Sequence, residues 1–342
     1  MLHLLMLSSC MLIGADALQW KPLPALPDRE GFASMFAGSS DGALIVAGGA
    51  NFPERRPWEG GTKRWYDDVW LLDDPAGSWQ QVARLPRPNA YGVSASFYDG
   101  VICAGGGDAQ QHFTEVFRLA WRDGRLQIDP LPPLPQPCAF ASGALVGNVM
   151  YIAGGFDRPE ATRCLRTLWA LDLTQPAASW RQLDACPGPE RMLAVAGSDD
   201  DSFYLFSGTR LSAGADGKPV REYLRDAWRF RPSDGWRRLA DMPRSAVAAP
   251  SPAARDAKGR LLIVSGDDGA NVGFKPETAH PGFPRDVLAY DPVADRWSAL
   301  GAAPFSRATA PTALWRGMTV VVSGEARPGY RSPEVWGLSS EK

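Results

Sequence analysis

The chain has 342 residues, of which 45% are hydrophobic and 22% charged, a composition typical of a globular protein with a large core. The formal net charge is −2 and no run of lysines or arginines suggests a nucleic-acid surface, so we expect no nucleic-acid partner. Beyond the N-terminus no segment approaches the ~20 apolar residues of a membrane span, and we expect no span.

The N-terminal segment, MLHLLMLSSCMLIGADALQW, is an apolar run that ends in small residues. Ala15-Asp16-Ala17 has the A-x-A pattern of a cleavage site, which predicts a signal peptide over 1–17 and a periplasmic protein. No Lys or Arg lies near Met1, which counts against a signal peptide. Two alternatives therefore stay open: a lipoprotein signal acylated at Cys10, and an uncleaved apolar arm.

One unit recurs six times along the rest of the chain. Each copy has a hydrophobic run that ends in Gly-Gly or Ser-Gly, and successive final glycines are 49 to 58 residues apart. A second strand-like run follows each glycine, and in most copies a tryptophan and a proline-marked turn come next. The six glycine-ended runs are ALIVAGG (43–49), GVICAGG (100–106), VMYIAGG (149–155), SFYLFSG (202–208), RLLIVSG (260–266) and MTVVVSG (318–324).

This unit resembles the kelch repeat, which implies four short strands per copy and one propeller blade for each. We predict an all-β fold, a six-bladed kelch-type β-propeller that forms a single domain over 18–342. The sixth copy ends near Leu338 without its tryptophan, whereas Trp20 in LQWKPLPALP (18–27) stands before the same kind of turn. The N-terminal strand is therefore expected to close the last blade, because an open ring would leave a long unpaired strand edge.

Few residues suit a metal or redox site. Outside the signal segment the chain keeps only His112 and His280, and its cysteines match neither a zinc pattern nor a redox CxxC motif. We predict no metal and no cofactor, and a Cys164–Cys186 disulfide stays open. The cysteines in question are Cys103, Cys138, Cys164 and Cys186.

Arginines stand just before the first strand of four copies, where propeller loops share one face with the loops after the glycines. Together they would make one mouth of the channel electropositive, which suits an anionic small molecule. The alternative for each one is a structural hydrogen-bonding role. These blade-start arginines are Arg29, Arg191, Arg244 and Arg307.

The loop after the first glycine pair, ANFPERRPWEGGTKRWYDD, is long, and long loops on a rigid scaffold often bind ligands. Its aromatic residues Phe52 and Trp58, with Trp65 and Tyr66, would form either a sugar-stacking wall or a loop folded onto itself.

The sixth copy combines a glutamate directly after Ser-Gly with an arginine six residues later, in SGEARPGYR. Glu325 is expected to face the axial channel, where a carboxylate can serve as a general acid or base. Arg331 and Arg327 would hold a substrate carboxylate, Arg331 through a bidentate fork. The alternative is a Glu–Arg salt bridge within the loop that has no catalytic role.

Three loop segments resemble the bacterial N-acetylneuraminate epimerases, also called sialic acid mutarotases. SGEARPGYRS is similar to that family's Gly-Glu-Ala-basic-Pro-Gly-x-Arg segment, and GGANF to its Gly-Gly-Ala-x-Phe segment. NAYGVS (89–94) is similar to its Arg-Ala-Tyr-Gly-Val-Ser, with Asn89 in place of the arginine. Asn89 and Tyr91 therefore join the candidate substrate contacts.

The resemblance implies a periplasmic six-bladed propeller that interconverts the α and β anomers of N-acetylneuraminate without a cofactor. By motif, Glu325 matches the family's proposed proton acceptor and Arg331 its nearby active-site arginine. The order of the blades is circularly permuted, since the glutamate blade is last here and the Gly-Gly-Ala-x-Phe blade is first. In a closed ring those two blades are still neighbours, so the site would be kept. Asn89 departs from the pattern and puts the substrate in question.

The expected partner is a small anionic sugar, and the oligomeric state, a homodimer included, stays open. The nearest alternatives are a mutarotase of another acidic sugar and a non-catalytic kelch binding module. A kelch-type copper radical oxidase would need a histidine and tyrosine metal site, which two histidines hardly supply. A sialidase propeller would carry Ser-x-Asp-x-Gly-x-Thr-Trp boxes, and the sequence has none.

Overall fold

The computed structural model describes residues 18–175, 179–214 and 219–339. The proposed signal peptide, 1–17, lies outside the described residues. No helix in the described ranges is both long and apolar enough to cross a membrane.

Six antiparallel four-stranded sheets form the blades of a β-propeller, which confirms the predicted fold class. The first strands of blades 6, 1, 2, 3 and 4 contact one another in that order around the axis, and the fourth strands lie outermost. From the inside outwards the strands are Phe36–Ser40, Ala43–Ala47, Asp68–Leu72 and Gln80–Arg84 in blade 1; Val93–Phe97, Gly100–Ala104, Val116–Arg122 and Arg125–Leu131 in blade 2; Ser142–Val146, Val149–Ala153, Leu168–Asp172 and Arg181–Leu183 in blade 3; Val195–Ser198, Phe203–Phe206, Ala227–Arg231 and Gly235–Arg238 in blade 4; Ala254–Arg255, Leu261–Val264, Asp286–Asp291 and Arg296–Ala302 in blade 5; and Thr312–Trp315, Met318–Val322, Val335–Ser339 and Gln19–Leu23 in blade 6.

The N-terminal strand closes the ring as expected. Gln19–Leu23 pairs antiparallel with Val335–Ser339, from Gln19 opposite Ser339 to Leu23 opposite Val335. Trp20 packs edge-on against Phe305 with 5.1 Å between ring centroids. The outer edge that blade 6 would otherwise expose is therefore covered by the other end of the chain.

The repeated tryptophans join neighbouring blades by hydrogen bonds as well as by packing. In each of four blades the indole N–H donates to a backbone carbonyl in the proline-marked turn of the preceding blade, at 2.7–2.8 Å. In these four blades the hydrogen-bond partner of the indole therefore comes from the neighbouring blade. The pairs are Trp79 with Pro24, Trp180 with Pro132, Trp236 with Asp184, and Trp297 with Ala240.

A closed circle of backbone hydrogen bonds surrounds the axis on one face, and we call its six residues the axial ring. One residue per blade donates its N–H to the carbonyl of the equivalent residue in the preceding blade, at 2.6–3.1 Å. All six have left-handed backbone conformations, with φ from 51° to 65°, which other residues than glycine seldom adopt. The circle holds the starts of the first strands in place, and with them the loops that lie on this face. The axial ring is Ser34, Tyr91, Phe140, Leu193, Ala248 and Thr309.

The loops after the glycines carry short extra ribbons on the same face as the axial ring. The ribbons pair Ala50–Asn51 with Arg64–Trp65 in blade 1, Thr209–Ala213 with Pro219–Tyr223 in blade 4, and Glu325–Arg327 with Tyr330–Arg331 in blade 6. The 3-10 helices Pro57–Glu59 and Glu277–Ala279 lie in the corresponding loops of blades 1 and 5.

Candidate active site

The residue directly after the glycine occupies the same place in every blade. Its backbone forms a bridge with the residue just before the axial ring, so its side chain starts close to the axis. Two neighbouring blades, the fifth and the sixth, place a carboxylate there. These post-glycine positions are Ala50, Gly107, Phe156, Thr209, Asp267 and Glu325.

Glu325 is set in place by a tight backbone turn. The preceding Gly324 has φ +97°, and a Cβ there would lie 2.8 Å from the Ala308 carbonyl oxygen, so a side chain is excluded. Glu325 itself exchanges backbone hydrogen bonds with Ala308, at 2.7 and 2.8 Å. A glycine at this position thus lets the two backbones approach each other near the axis.

The carboxylate of Glu325 is held on one oxygen. Its Oε1 accepts hydrogen bonds from the Gly329 N–H at 2.8 Å and from Arg331 Nη1 at 2.5 Å. In the described part of the chain Oε2 has no hydrogen-bond partner, and 20% of the side chain stays exposed. The loop salt bridge that the sequence left as an alternative is therefore present, and it leaves one carboxylate oxygen accessible.

Arg331 is nearly buried, with 4% of its side chain exposed. Its guanidinium carbon lies 5.2 Å from the ring centroid of Phe52, which comes from the long loop of blade 1. Its Nε is buried and has no hydrogen-bond partner among the described residues.

Two residues that the sequence analysis did not single out lie on this face. Asp267 holds the post-glycine position of blade 5 and accepts a hydrogen bond from the Tyr223 hydroxyl at 2.8 Å. Burial raises the pKa of Tyr223, so its hydroxyl stays protonated at neutral pH. The ammonium of Lys63 donates to the Tyr91 hydroxyl at 3.0 Å. The acidic residue directly after VSG could have pointed to Asp267, whereas nothing in the sequence distinguishes Lys63.

Three of the blade-start arginines are bound within their own blades. Arg191 and Arg307 are 2% exposed, and the Arg244 side chain is 16% exposed. Each donates to a carboxylate at the start of the third strand and to nearby backbone carbonyls. The geometry favours the structural alternative for all three. Their carboxylate partners are Asp226 for Arg191, Asp286 for Arg244 and Glu334 for Arg307, at 2.6–2.9 Å.

Asn89 makes the same backbone contact in blade 2 that Arg191 and Arg244 make in their blades. Its Nδ2 donates to the Gly105 carbonyl at 3.0 Å, as Arg191 does to Ser207 and Arg244 to Ser265. Asn89 is 3% exposed. Asn89, which replaces the arginine of the family motif, therefore occupies a position whose side chain binds the backbone at the end of the second strand. The geometry favours a structural role for it.

Arg29 is exposed in the loop before blade 1. Phe32, three residues later, precedes the blade 1 bridge at Ala33 and so holds the position that Asn89 and Arg191 hold in their blades. Arg29 is thus offset from the other blade-start arginines, and a substrate role for it stays a prediction.

Arg327 and Trp58 fasten the blade 6 ribbon to its neighbours. Arg327 Nη1 donates to the Thr278 carbonyl of the blade 5 loop at 2.9 Å. The guanidinium carbons of Arg327 and Arg56 lie 4.0 and 4.3 Å from the ring centroid of Tyr330. Trp58 packs on the same ring at 5.5 Å. These contacts favour a positioning role, and direct contact with a substrate stays a prediction for both residues.

The aromatic residues of the first loop divide between the two expected roles. Tyr66 turns inwards, with its hydroxyl donating to Asn51 at 2.8 Å and its ring 4.9 Å from Phe32. Phe52 and Trp65 stay on the face of the axial ring, and their ring centroids lie 5.7 and 5.4 Å from the Lys63 ammonium. The loop therefore both packs onto itself and presents aromatic surface.

A second group of aromatic rings continues this surface across blades 2 and 3. Tyr91, Phe140 and Phe156 stack in series, with centroids 4.1 and 4.7 Å apart. A cavity of about 150 Å³ lies against them and Trp65, and a cleft of about 540 Å³ adjoins it beside Lys63. Stacked rings beside donors suit a ligand with both apolar and polar faces, such as a sugar.

The two described histidines, His112 and His280, each make a hydrogen bond to the backbone. Burial lowers the pKa of His112, whose Nδ1 lies 2.8 Å from the Phe156 carbonyl, and the Gly282 N–H donates to His280 Nδ1 at 3.0 Å. Within the described ranges, no group of three or more His, Cys, Asp or Glu residues is placed to hold a metal ion.

Comparison with known proteins agrees with the motif resemblance. A family model described as N-acetylneuraminate epimerase matches residues 8–128, which include Phe52, Lys63 and Tyr91, and a kelch motif model matches 137–184. The matched ranges do not include Glu325 or Arg331.

Curated relatives named N-acetylneuraminate epimerase include one from Haemophilus influenzae (strain PittEE), 28% identical over 226 residues, or 59% of this chain and 57% of the relative. One from Salmonella arizonae is 36% identical over 130 residues, 33% of either chain, and one from Salmonella enteritidis PT4 is 38% identical over 129 residues, again 33% of either chain. The chain thus spans between a third and little more than half of the length of these relatives.

A solved structure named "Structure of YjhT" is similar over 92% of this chain and 95% of that one, with a TM-score of 0.66 and 15% identity. At that identity the likeness concerns the fold. The resemblance drawn from the loop motifs is confirmed: this chain is a six-bladed kelch propeller similar to the N-acetylneuraminate epimerases.

Proposed function

We propose that this protein is a cofactor-independent mutarotase that interconverts the α and β anomers of N-acetylneuraminate. The observation that carries the proposal is the placement of Glu325, whose Oε2 is accessible on the axial face while Oε1 is fixed by Gly329 and Arg331. The names of the relatives support the substrate.

The chemistry follows from the substrate. Opening the cyclic hemiketal removes the proton of the anomeric hydroxyl, breaks the bond from the anomeric carbon to the ring oxygen and delivers a proton to that oxygen. Glu325 accepts the first proton through Oε2 and gives it to the ring oxygen as the bond breaks, so that the carboxylate is regenerated. Rotation of the open-chain ketone and the reverse steps on its other face give the other anomer. No electron or group is transferred, so the scheme requires only acid–base groups.

Arg331 has two roles in this scheme. Nη1 holds Glu325 in one orientation, and the positive charge of the guanidinium stabilises negative charge that develops at the anomeric centre of the substrate. Phe52 covers the guanidinium and limits its access to water. Positioned acid–base catalysis contributes about 10²- to 10⁴-fold, which is enough for a reaction that also proceeds in water.

The proposed location is the periplasm, on the strength of the A-x-A pattern at Ala15-Asp16-Ala17. A mutarotase there would act on sugar acid released outside the cytoplasm.

The test follows the anomers of N-acetylneuraminate by proton NMR directly after a sialidase releases the α form. We expect the protein to speed the appearance of the β anomer and Glu325→Gln to return the rate to that of buffer. Glu277→Gln is the matched control, since Glu277 pairs with Lys275 in the blade 5 loop, and should keep full activity. No acceleration by the unmodified protein would refute the function, and an active, folded Glu325→Gln variant would refute the role of Glu325.

A further inference from the structure

Lys63 lies half-buried among three aromatic rings on the axial face. Its Nζ is 5.0 Å from the ring centroid of Tyr91, 5.4 Å from Trp65 and 5.7 Å from Phe52. It also donates to the Tyr91 hydroxyl at 3.0 Å. Aromatic faces stabilise a nearby cation while excluding water, so the ammonium is held in a defined place.

Lys63 differs from Arg56 and Arg331, which lie on the same face, in having no carboxylate partner. Arg56 pairs with Glu30 at 2.6 Å and Arg331 with Glu325 at 2.5 Å. No carboxylate among the described residues lies within 4.0 Å of the Lys63 ammonium. An ammonium has three donors, and the Tyr91 hydroxyl uses one. The other two can bind a ligand anion.

Lys63 and Arg331 both lie beside the ring of Phe52. The Phe52 centroid is 5.7 Å from the Lys63 ammonium and 5.2 Å from the Arg331 guanidinium carbon. Both cations therefore border one aromatic ring, and Arg331 in turn binds Glu325. In a 2-keto sugar acid the carboxylate and the anomeric hydroxyl are on the same carbon, so the carboxylate-binding group must be close to the base.

We infer that Lys63 binds the substrate carboxylate and determines the preference of the site for acidic over neutral sugars. The inference rests on the proposed function in taking a sugar acid as the ligand. It assigns the anion-binding role to a lysine of blade 1 in place of the blade-start arginines, whose side chains are bound by the fold. Burial beside aromatic rings strengthens the attraction, because the interaction is less screened than in water.

The experiment measures binding of N-acetylneuraminate and of its methyl ester by isothermal titration calorimetry, separately from the anomer assay. We expect Lys63→Met to weaken binding of the acid roughly 10- to 100-fold, the range for a lost charge-assisted hydrogen bond. Binding of the neutral methyl ester should change little, which also shows that the variant is folded. Lys63→Arg should recover part of the affinity, and Arg55→Met, which removes an exposed charge from the same loop, should match the unmodified protein.

The outcomes separate this inference from the function. An unchanged affinity of Lys63→Met for the acid, or an equal loss for acid and ester, overturns the inference. Failure of the unmodified protein to bind N-acetylneuraminate, glucuronate or galacturonate overturns it as well. Charge-selective binding through Lys63 without faster mutarotation would refute the function and leave the inference standing.

Discussion

At the scale of single residues, Glu325 combines the two roles that the sequence set against each other. An ion pair that engaged both carboxylate oxygens would leave no base, and a carboxylate without partners would lack a fixed direction. Here Gly329 and Arg331 share Oε1, and Oε2 stays accessible. The SGEARPGYR motif predicts the two charged residues, but the division between the oxygens depends on the turn at Gly329.

The cysteines provide a prediction at the same scale. Burial raises the pKa of Cys138 to about 12 and the pKa values of Cys164 and Cys186 to about 11, and all three thiols are free and buried. Since the thiolate is the reactive form, we expect little reaction of the native protein with DTNB at pH 8 and rapid reaction after unfolding in urea.

Rapid labelling of the native protein would contradict this expectation. A thiol count after unfolding that is lower by two, and restored by a reductant, would instead support the Cys164–Cys186 disulfide that the sequence left open.

At the scale of the blade, an arginine before the first strand and an acid before the third strand form a recurring clamp. Arg191 binds Asp226 through two hydrogen bonds, at 2.8 and 2.6 Å, and joins segments 35 residues apart. The sequence predicts the arginine positions, and both their structural and their binding roles stayed open. The choice depends on the acid that each guanidinium meets, which only the packing of the third strand supplies.

We expect Arg191→Met to lower the free energy of unfolding by about 3 kcal/mol, because it leaves the largely buried Asp226 carboxylate without its counter-ion and with the Trp228 N–H as a donor. The double variant Arg191→Met/Asp226→Asn should recover much of this loss. Urea unfolding measures both.

The same pair of variants separates structure from binding. If Arg191 held the substrate, Arg191→Met would raise KM for N-acetylneuraminate in folded protein and the double variant would not restore it. We expect KM to stay unchanged in the double variant.

At the scale of the whole molecule, closure brings the proposed site together. Glu325 and Arg331 belong to blade 6, and Phe52 and Lys63 to blade 1, so they meet only because the ring is closed. The strand Gln19–Leu23 makes this closure, and the axial ring completes it through the hydrogen bond from Ser34 to Thr309 at 2.7 Å.

Removal of residues 18–27 is therefore expected to expose the edge of Val335–Ser339, lower the melting temperature and promote aggregation, because an unpaired edge recruits other strands. Differential scanning calorimetry and size-exclusion chromatography measure the two effects.

A synthetic peptide of residues 18–27 added to the truncated protein should restore part of both properties, and a scrambled peptide should not. A truncated protein that keeps its melting temperature would show that the strand does not close the ring in solution.

The sequence by itself determined the number of blades, the closing strand and the two charged residues of the last blade. It could do so because hydrophobic runs, glycines and tryptophans recur at a regular period, and each copy encodes the same local backbone geometry. Only the tertiary structure decided which partners the polar side chains near the axis contact: Asn89 donates to the Gly105 carbonyl, Arg191 to Asp226, and Lys63 to the Tyr91 hydroxyl. These contacts join separate segments, and in places separate blades, so their distances depend on how the ring closes and not on local sequence.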